Sequence, residues 1–500
     1  MPAYLLEAYV VLLGLVILMM EAFGPSGRKH YLGWAAIGGL IFGFVLLFFA
    51  ANAASMPAVE GGKAASLDWP MMQRFYTFDR AAIFYKGLAM LCTIIVLFLS
   101  VDYRKVLEKF TENPGSEEGT GEYYALPLFA CAGMMWMASA KDLVSIFVAL
   151  ELVTITFYVL VAFMRRNVGS LEAGAKYLIL GALSTGILVY GIAWIYGTLH
   201  TTSLAEITTK LADGDFVAAH RLPILFGLAL VLVAITFKVG AVPMQLWSPD
   251  VYQGAPTPPT AFLSVGSKAA GFIVALRILE PFLASDALRS QTIFILLIIS
   301  CVTILYGNLA AIPQTNFKRL LAYSSIAHAG FILLAITAWH EAPGPNILSS
   351  EQVVGFYLAT YLIMTMGAFF VLVVVRRDSG SEEISAFEGL GKRNPALALA
   401  TTVLLSALAG LPLTAGFYGK FFAFQLAVDS GLWVGVGLGF IGVAAGFYYY
   451  FKVIRAIYWR PGDSDSAIEI PVISRYAVSY THLTLPTRCH RGRCRGGGGG

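Results

Sequence analysis

Residues 235–272 read ITFKVGAVPMQLWSPDVYQGAPTPPTAFLSVGSKAAGF. Two apolar runs flank a centre rich in proline and glycine, and each run carries one lysine, Lys238 and Lys268. An ammonium at the middle of a membrane helix costs roughly 2.5–3.5 kcal/mol on insertion scales. A chain keeps such a charge where it is paired, hydrated or used. Further out, Glu151 stands in KDLVSIFVALELVTITFYVLVAF (141–163) and Lys420 in LAGLPLTAGFYGKFFAF (408–424). Glutamate and lysine can both be tuned by burial to exchange protons near neutral pH, so these charges on separate apolar segments are the raw material of a proton path.

The whole chain has the same character. Its 500 residues are 58% hydrophobic and 13% charged, against about 25% charged in a soluble domain. Apolar runs of about 18 residues or more read as membrane helices. They fall at roughly 4–23, 31–53, 80–101, 123–140, 142–164, 172–197, 224–246, 258–282, 291–312, 320–340, 353–376, 395–427 and 431–458, about thirteen in all. The expected fold class is therefore an all-α polytopic membrane protein. The first run lacks a basic flank and a small-residue cleavage site, which predicts a retained helix rather than a signal peptide.

The net charge of +4 says little, but the placement of charge says more. Loops at one end of the helices carry Arg28, Lys29, Arg104, Lys105, Lys109, Arg165, Arg166, Lys318, Arg319, Arg376, Arg377, Lys392, Arg393 and Arg460. Loops at the other end carry only Lys63, Arg74, Lys141, Lys210, Arg221 and Arg289. The positive-inside rule then predicts an outward N-terminus. Arg277, Lys452 and Arg455 read as side chains reaching for helix ends, and Lys86 is left undecided.

Cys92, Cys131 and Cys301 lie singly in apolar runs and read as inert small hydrophobes. No iron–sulfur or haem ligand set, nucleotide loop or flavin fingerprint is visible, and no metal site is expected. Cys489, His490 and Cys494 have metal-like spacing. However, residues 477–487 resemble a translated sequencing adapter and the terminal glycines a homopolymer run, so residues 477–500 are set apart as an artefact.

Two segments join a lysine to helix breakers. Lys238 precedes Gly240 and Pro243, and Lys420 follows Gly410, Pro412, Gly416 and Gly419. Each proline frees the carbonyl four residues before it, here Val239 and Leu408. At membrane depth such gaps are tolerated only where protein or water covers them. Paired interrupted segments point to two inverted five-helix repeats, 123–282 and 291–458, after an N-terminal three-helix extension over 1–122. The alternative is that each proline merely kinks a packed helix.

These strings, with EAGAKYLILGALSTGILVYG (172–191), KRLLAYSSIAHAGF (318–331) and LSALAGLPLTAGFYGKF (405–421), occur in one order. The chain thereby resembles the antiporter-like membrane subunits of respiratory complex I, NADH:quinone oxidoreductase, and most closely the subunit N branch, equivalent to mitochondrial subunit 2. The resemblance runs from about residue 4 to 460. Lysine at 420 departs from subunit M, which has glutamate there, and the short length departs from subunit L. Subunit N normally has fourteen helices, one more than is read here, and the adapter-like tail stands where the last is expected.

The resemblance implies proton translocation driven by NADH-to-quinone electron transfer in other subunits. Glu151 is implied as the acidic partner of a Lys238 ion pair, Lys238 as the central carrier, Lys268 as the relay to the second half and Lys420 as the exit-side carrier. Lys176 and His328 are weaker members: Lys176 sits close enough to its helix end to reach the surface, and His328 is equally well a satisfied core histidine. No cofactor is expected in this chain; NADH, FMN, iron–sulfur clusters and quinone belong to partner subunits. Expected partners are subunit M, small membrane subunits and lipid, with no nucleic acid, and the expected location is a bacterial inner membrane. A multisubunit cation/proton antiporter, or a related hydrogenase or ferredoxin-linked complex, shares the same motifs.

Overall fold

A computed structural model describes residues 3–24, 29, 31–55, 70–110, 119–340 and 348–461. The chain begins with two apolar helices, α1 (Leu5–Phe23) and α2 (Tyr31–Ser55), and a short α3 (Pro70–Phe75). The Asp79 carboxylate then accepts from Ala82 N at 2.7 Å and starts α4 (Arg80–Leu107). α1 packs on α5 (Thr120–Ser139), and α2 packs on α4. Asp142 caps α6 (Leu143–Val161) in the same way as Asp79, and Asn167 caps α7 (Val168–Leu199). Each cap satisfies amide donors that a helix start leaves open.

The linker after α7 folds as α8 (Leu204–Leu211) before α9 (Gly214–Val239), α10 (Trp247–Gly254) and α11 (Thr257–Phe262). A π-turn over Leu263–Ser267 leads straight into α12 (Lys268–Ala284). The second half comprises α13 (Asp286–Ala311), α14 (Phe317–Thr337), α15 (Ser350–Ser379), the single turn α16 (Leu390–Arg393), α17 (Pro395–Ala409), α18 (Ala415–Asp429) and α19 (Trp433–Trp459).

Among the described residues eleven spans are long and apolar enough to cross a membrane. With α5 and the interrupted pair α17–α18, they occupy the positions read from the sequence. α14 and the span α11–α12 are buried along nearly their whole length, whereas α2 and α7 present apolar faces outward. The polar groups of interest therefore sit on the innermost helices. The tail over 477–500, with Cys489, His490 and Cys494, lies outside the described residues, as do Arg28 and Lys63.

Three charges have partners that their sequence reading does not supply. Arg277 reaches the helix ends and is fixed there: its guanidinium holds both Asp79 carboxylate oxygens at 3.0 Å where α4 begins and Ala138 O at 3.0 Å where α5 ends, tying α12 to both. Lys318, counted above as a loop charge, is buried at the start of α14 and pairs with Glu382 at 2.9 Å. Lys86, left undecided above, is fully buried against Glu7 of α1 at 2.6 Å. In each case a charge removed from water has found a partner, which periodicity along one segment cannot show.

Candidate proton-translocation site

The two proline-containing segments break in the same way. α9 ends with Gly240 at φ 70° and α17 ends with Gly410 at φ 91°. In α9, Gly240 N donates to Phe237 O and Ala241 N to Thr236 O; in α17, Gly410 N donates to Ala407 O and Leu411 N to Ser406 O. Both are Schellman closures, which need a left-handed residue that glycine adopts without a Cβ clash. The glycines also make room for lysine heads. A Cβ on Gly240 would stand 3.2 Å from Lys268 Nζ, and one on Gly410 would stand 3.1 Å from Lys420 Cδ.

Lys420, on α18, turns back across its break and donates to Leu408 O and Ala409 O, each at 2.9 Å. Leu408 O is the carbonyl that Pro412 was expected to free. An ammonium at the end of α17 also meets the negative pole of that helix. Lys238 lies on the other side of its own break, in the last turn of α9, and donates to Thr154 Oγ1 of α6 at 3.0 Å. The two lysines are therefore not placed alike relative to their prolines. Lys268 emerges directly from the π-turn, a feature frequent at functional sites, and donates to Ser325 O of α14 at 2.9 Å.

The ion pair implied for Glu151 and Lys238 is absent from the ion pairs of the described residues. Glu151 is half-buried and accepts instead from Thr185 Oγ1 of α7 at 2.7 Å. Between it and Lys238 lies a cavity of about 10 Å³ lined by Thr154, Ser184, Thr185 and Lys238. That volume is about the space of one water. Thr185, bonded to Glu151, and Thr154, bonded to Lys238, thus face the same small cavity.

His328 bridges toward the second half. Its Nδ1 is 2.7 Å from Tyr357 Oη and its Nε2 is 3.4 Å from Tyr450 Oη. Tyr450 is bonded in turn to Ser324, beside Ser325, whose hydroxyl lies 3.3 Å from Tyr252 Oη. Hydroxyls and one imidazole therefore lead from the Lys268 anchor toward α15, where Tyr357 borders Gly419 next to Lys420. Serine, threonine and tyrosine can each donate and accept, as a proton relay requires. The motif SSIAH placed Ser324, Ser325 and His328 within one short run, but nothing in the sequence signalled Thr154, Thr185, Tyr252, Tyr357 or Tyr450.

Lys176 is not part of this buried set. Its ammonium is 44% exposed and pairs with Glu172 and Asp250, each at 2.8 Å. It sits at the rim of a cavity of about 700 Å³ that also exposes Asp250, Arg319 and Glu382. A second cavity, of about 440 Å³, opens at the other end of the helices beside Asp79, Arg277, Glu280, His340 and Glu351. Among the described residues no group of three or more His, Cys, Asp or Glu could hold a metal ion.

Residues 140–446 match the family model for the NADH:quinone oxidoreductase/Mrp antiporter membrane region. The NADH-quinone oxidoreductase subunit N of Trichlorobacter lovleyi is 38% identical over 96% of this chain and 92% of its own. Subunit N 2 of Rhizobium meliloti is 39% identical over 91% of this chain and 87% of its own. Among solved structures, a chain of respiratory complex I from Thermus thermophilus with bound aureothin is 29% identical, with a TM-score of 0.74 over 96% of both chains. A chain of an archaeal membrane-bound sulfane sulfur reductase shares the fold, with a TM-score of 0.82 at 24% identity, covering 96% of this chain and 92% of that one.

Proposed function

Because the chain belongs to the subunit N family of NADH-quinone oxidoreductases, we propose that it carries protons across the membrane by way of Glu151, Lys238, Lys268 and Lys420, with His328 between the two halves. Electron transfer from NADH to quinone in partner subunits drives it. The observation that supports this reading most directly is a contrast inside the molecule. Lys86 is buried and is paired with a carboxylate. Lys238, Lys268 and Lys420 are as deeply buried, yet their hydrogen-bond acceptors are a hydroxyl and backbone carbonyls. A lysine kept for structure is paired or avoided at this depth, whereas one that must lose its proton is better served by neutral oxygens.

The redox groups, FMN, iron–sulfur clusters and the NADH and quinone sites, belong to the partners on this reading. Those partners include subunit M and small membrane subunits. A tagged chain purified in mild detergent is expected to bring flavin- and iron–sulfur-containing subunits with it. Recovery with small antiporter subunits alone, or with hydrogenase subunits, would replace this assignment.

The membrane is the inner membrane of a bacterium, with the N-terminus outward. Val168 and Ala212 are exposed at opposite ends of the helices. A single cysteine replacing Ala212 is expected to react with an impermeant thiol reagent in intact cells, and one replacing Val168 only after permeabilisation. The reverse pattern would invert the topology.

A further inference from the structure

At the floor of the larger cavity, Lys318 and Arg376 converge on one oxygen, Glu382 Oε1. Lys318 is 1% exposed and Glu382 13%. The loop bearing Glu382 is pinned to the start of α14, because Phe317 N donates to Glu382 O and Ile384 N to Thr315 O. Lys318 also donates to Ala255 O at 2.9 Å, where α10 ends. Two features set this cluster apart from a structural tie. An ammonium in the first turn of a helix faces the positive pole of the macrodipole. Moreover, Arg376 alone already neutralises Glu382, so one carboxylate balances two cations.

The cluster also faces the buried relay. Ser325 lies seven residues beyond Lys318, two turns and about 10 Å along the same face of α14, and its carbonyl holds Lys268. In the neighbouring break, Gln245 Oε1 and Ser248 Oγ are buried and lack a hydrogen-bond partner of good geometry. Buried groups of that kind are the usual ligands of internal water.

We propose that the Lys318–Glu382 pair is the proton-collecting gate of this cavity and feeds Lys268 along α14. This rests on the proton path proposed above. Glu382 takes a proton from cavity water, forming a carboxylic acid and releasing Lys318. The Lys318 ammonium gives up one N–H proton, which passes through water and the Tyr252 and Ser325 hydroxyls to the Lys268 amine. Lys318 then recovers the proton held by Glu382, and the ion pair reforms. One proton has moved from the cavity to Lys268, and no electron is transferred. Of the other charges facing the gate, Arg376 keeps its hydrogen bonds to Tyr103 of α4 and Thr257 when Glu382 is protonated, Glu383 accepts from Asn316, Arg319 is paired with Asp250, and Lys176 with Asp250 and Glu172.

The test is NADH-driven proton uptake by inverted vesicles containing Glu382→Gln complex, with assembly checked on native gels. Glutamine preserves the shape but collects no proton. Pumping is expected to fall about tenfold at neutral pH and to recover about tenfold per unit of acidification on the cavity side, while wild type changes little. Glu382→Asp is expected to restore most of the rate. It retains the charge, and it decides the matter through a shifted pH profile if the glutamine variant does not assemble. Wild-type rates for Glu382→Gln, or a loss with an unchanged pH profile in either variant, would reduce the cluster to a structural tie. Lys268→Ala separates the two levels: full pumping there removes the path itself, whereas its loss alongside a normal Glu382→Gln complex removes only the gate.

Discussion

Replacing Lys238 by alanine is expected to leave an assembled complex that pumps at about a tenth of the normal rate or less, since losing a positioned proton-transfer group typically costs at least a hundredfold in the step it serves. The reason is local. Lys238 is 3% exposed, at the end of α9, and its ammonium donates to Thr154 alone among the described hydrogen bonds. It makes no ion pair whose loss would strand a partner, so its removal should harm transfer more than folding. Lys238→Arg should fail as well, because a guanidinium does not release its proton in the physiological range. Glu151→Ala and Lys420→Ala should fall similarly. Quinone reduction should drop with pumping where coupling is tight. Lys452→Ala is the internal control: this lysine caps Ile312 O and Gln314 O at the end of α13 and should be nearly silent. Proton uptake in inverted vesicles decides it. Full pumping by assembled Lys238→Ala complex would return that lysine to a packing role.

The same residues show what a single sequence can and cannot display. Helix positions follow from the length of apolar runs, a local property, so the spans and the charged positions within them were readable. So were the two breaks, because proline and glycine act on their own backbone. Partners are a different matter. Glu151 faces Thr185, which is 34 residues away, and Lys238 faces Thr154, which is 84 away. A threonine in an apolar helix carries no signal until its neighbour is known. Each charge's described hydrogen bond therefore goes to a threonine and not to the other charge. Lys318 shows the same limit: it looks like a basic flank beside Arg319, and only the loop after α15, which brings Glu382, shows that it is buried.

Outside the proposed path, Glu7 and Lys86 offer the largest expected effect on stability. Glu7 lies in the first turn of α1 and Lys86 in the second turn of α4; both are buried, and each is costly without the other. Lys86 is 0% exposed and Glu7 5%, with Nζ to Oε1 at 2.6 Å. The Tyr76 hydroxyl donates to both Glu7 oxygens, at 3.2 and 3.3 Å, and the Tyr76 and Phe78 rings cover the ammonium at 4.5 and 5.0 Å. Removing one partner from such a pair strands a buried charge at a cost of about 3–5 kcal/mol, while replacing both by apolar groups of similar size is close to neutral. Glu7→Leu and Lys86→Met alone are therefore expected to lower the thermal stability of the detergent-solubilised complex sharply, or to prevent its assembly. The double variant should restore both. It should also pump normally, because the pair binds α1 to α4 and touches none of the Lys238, Lys268 or Lys420 contacts. Thermal unfolding and native gels measure the first expectation and vesicle proton uptake the second. If the losses of the two single variants simply added in the double variant, the two residues would act independently; a stable double variant that failed to pump would place the pair in the proton path after all.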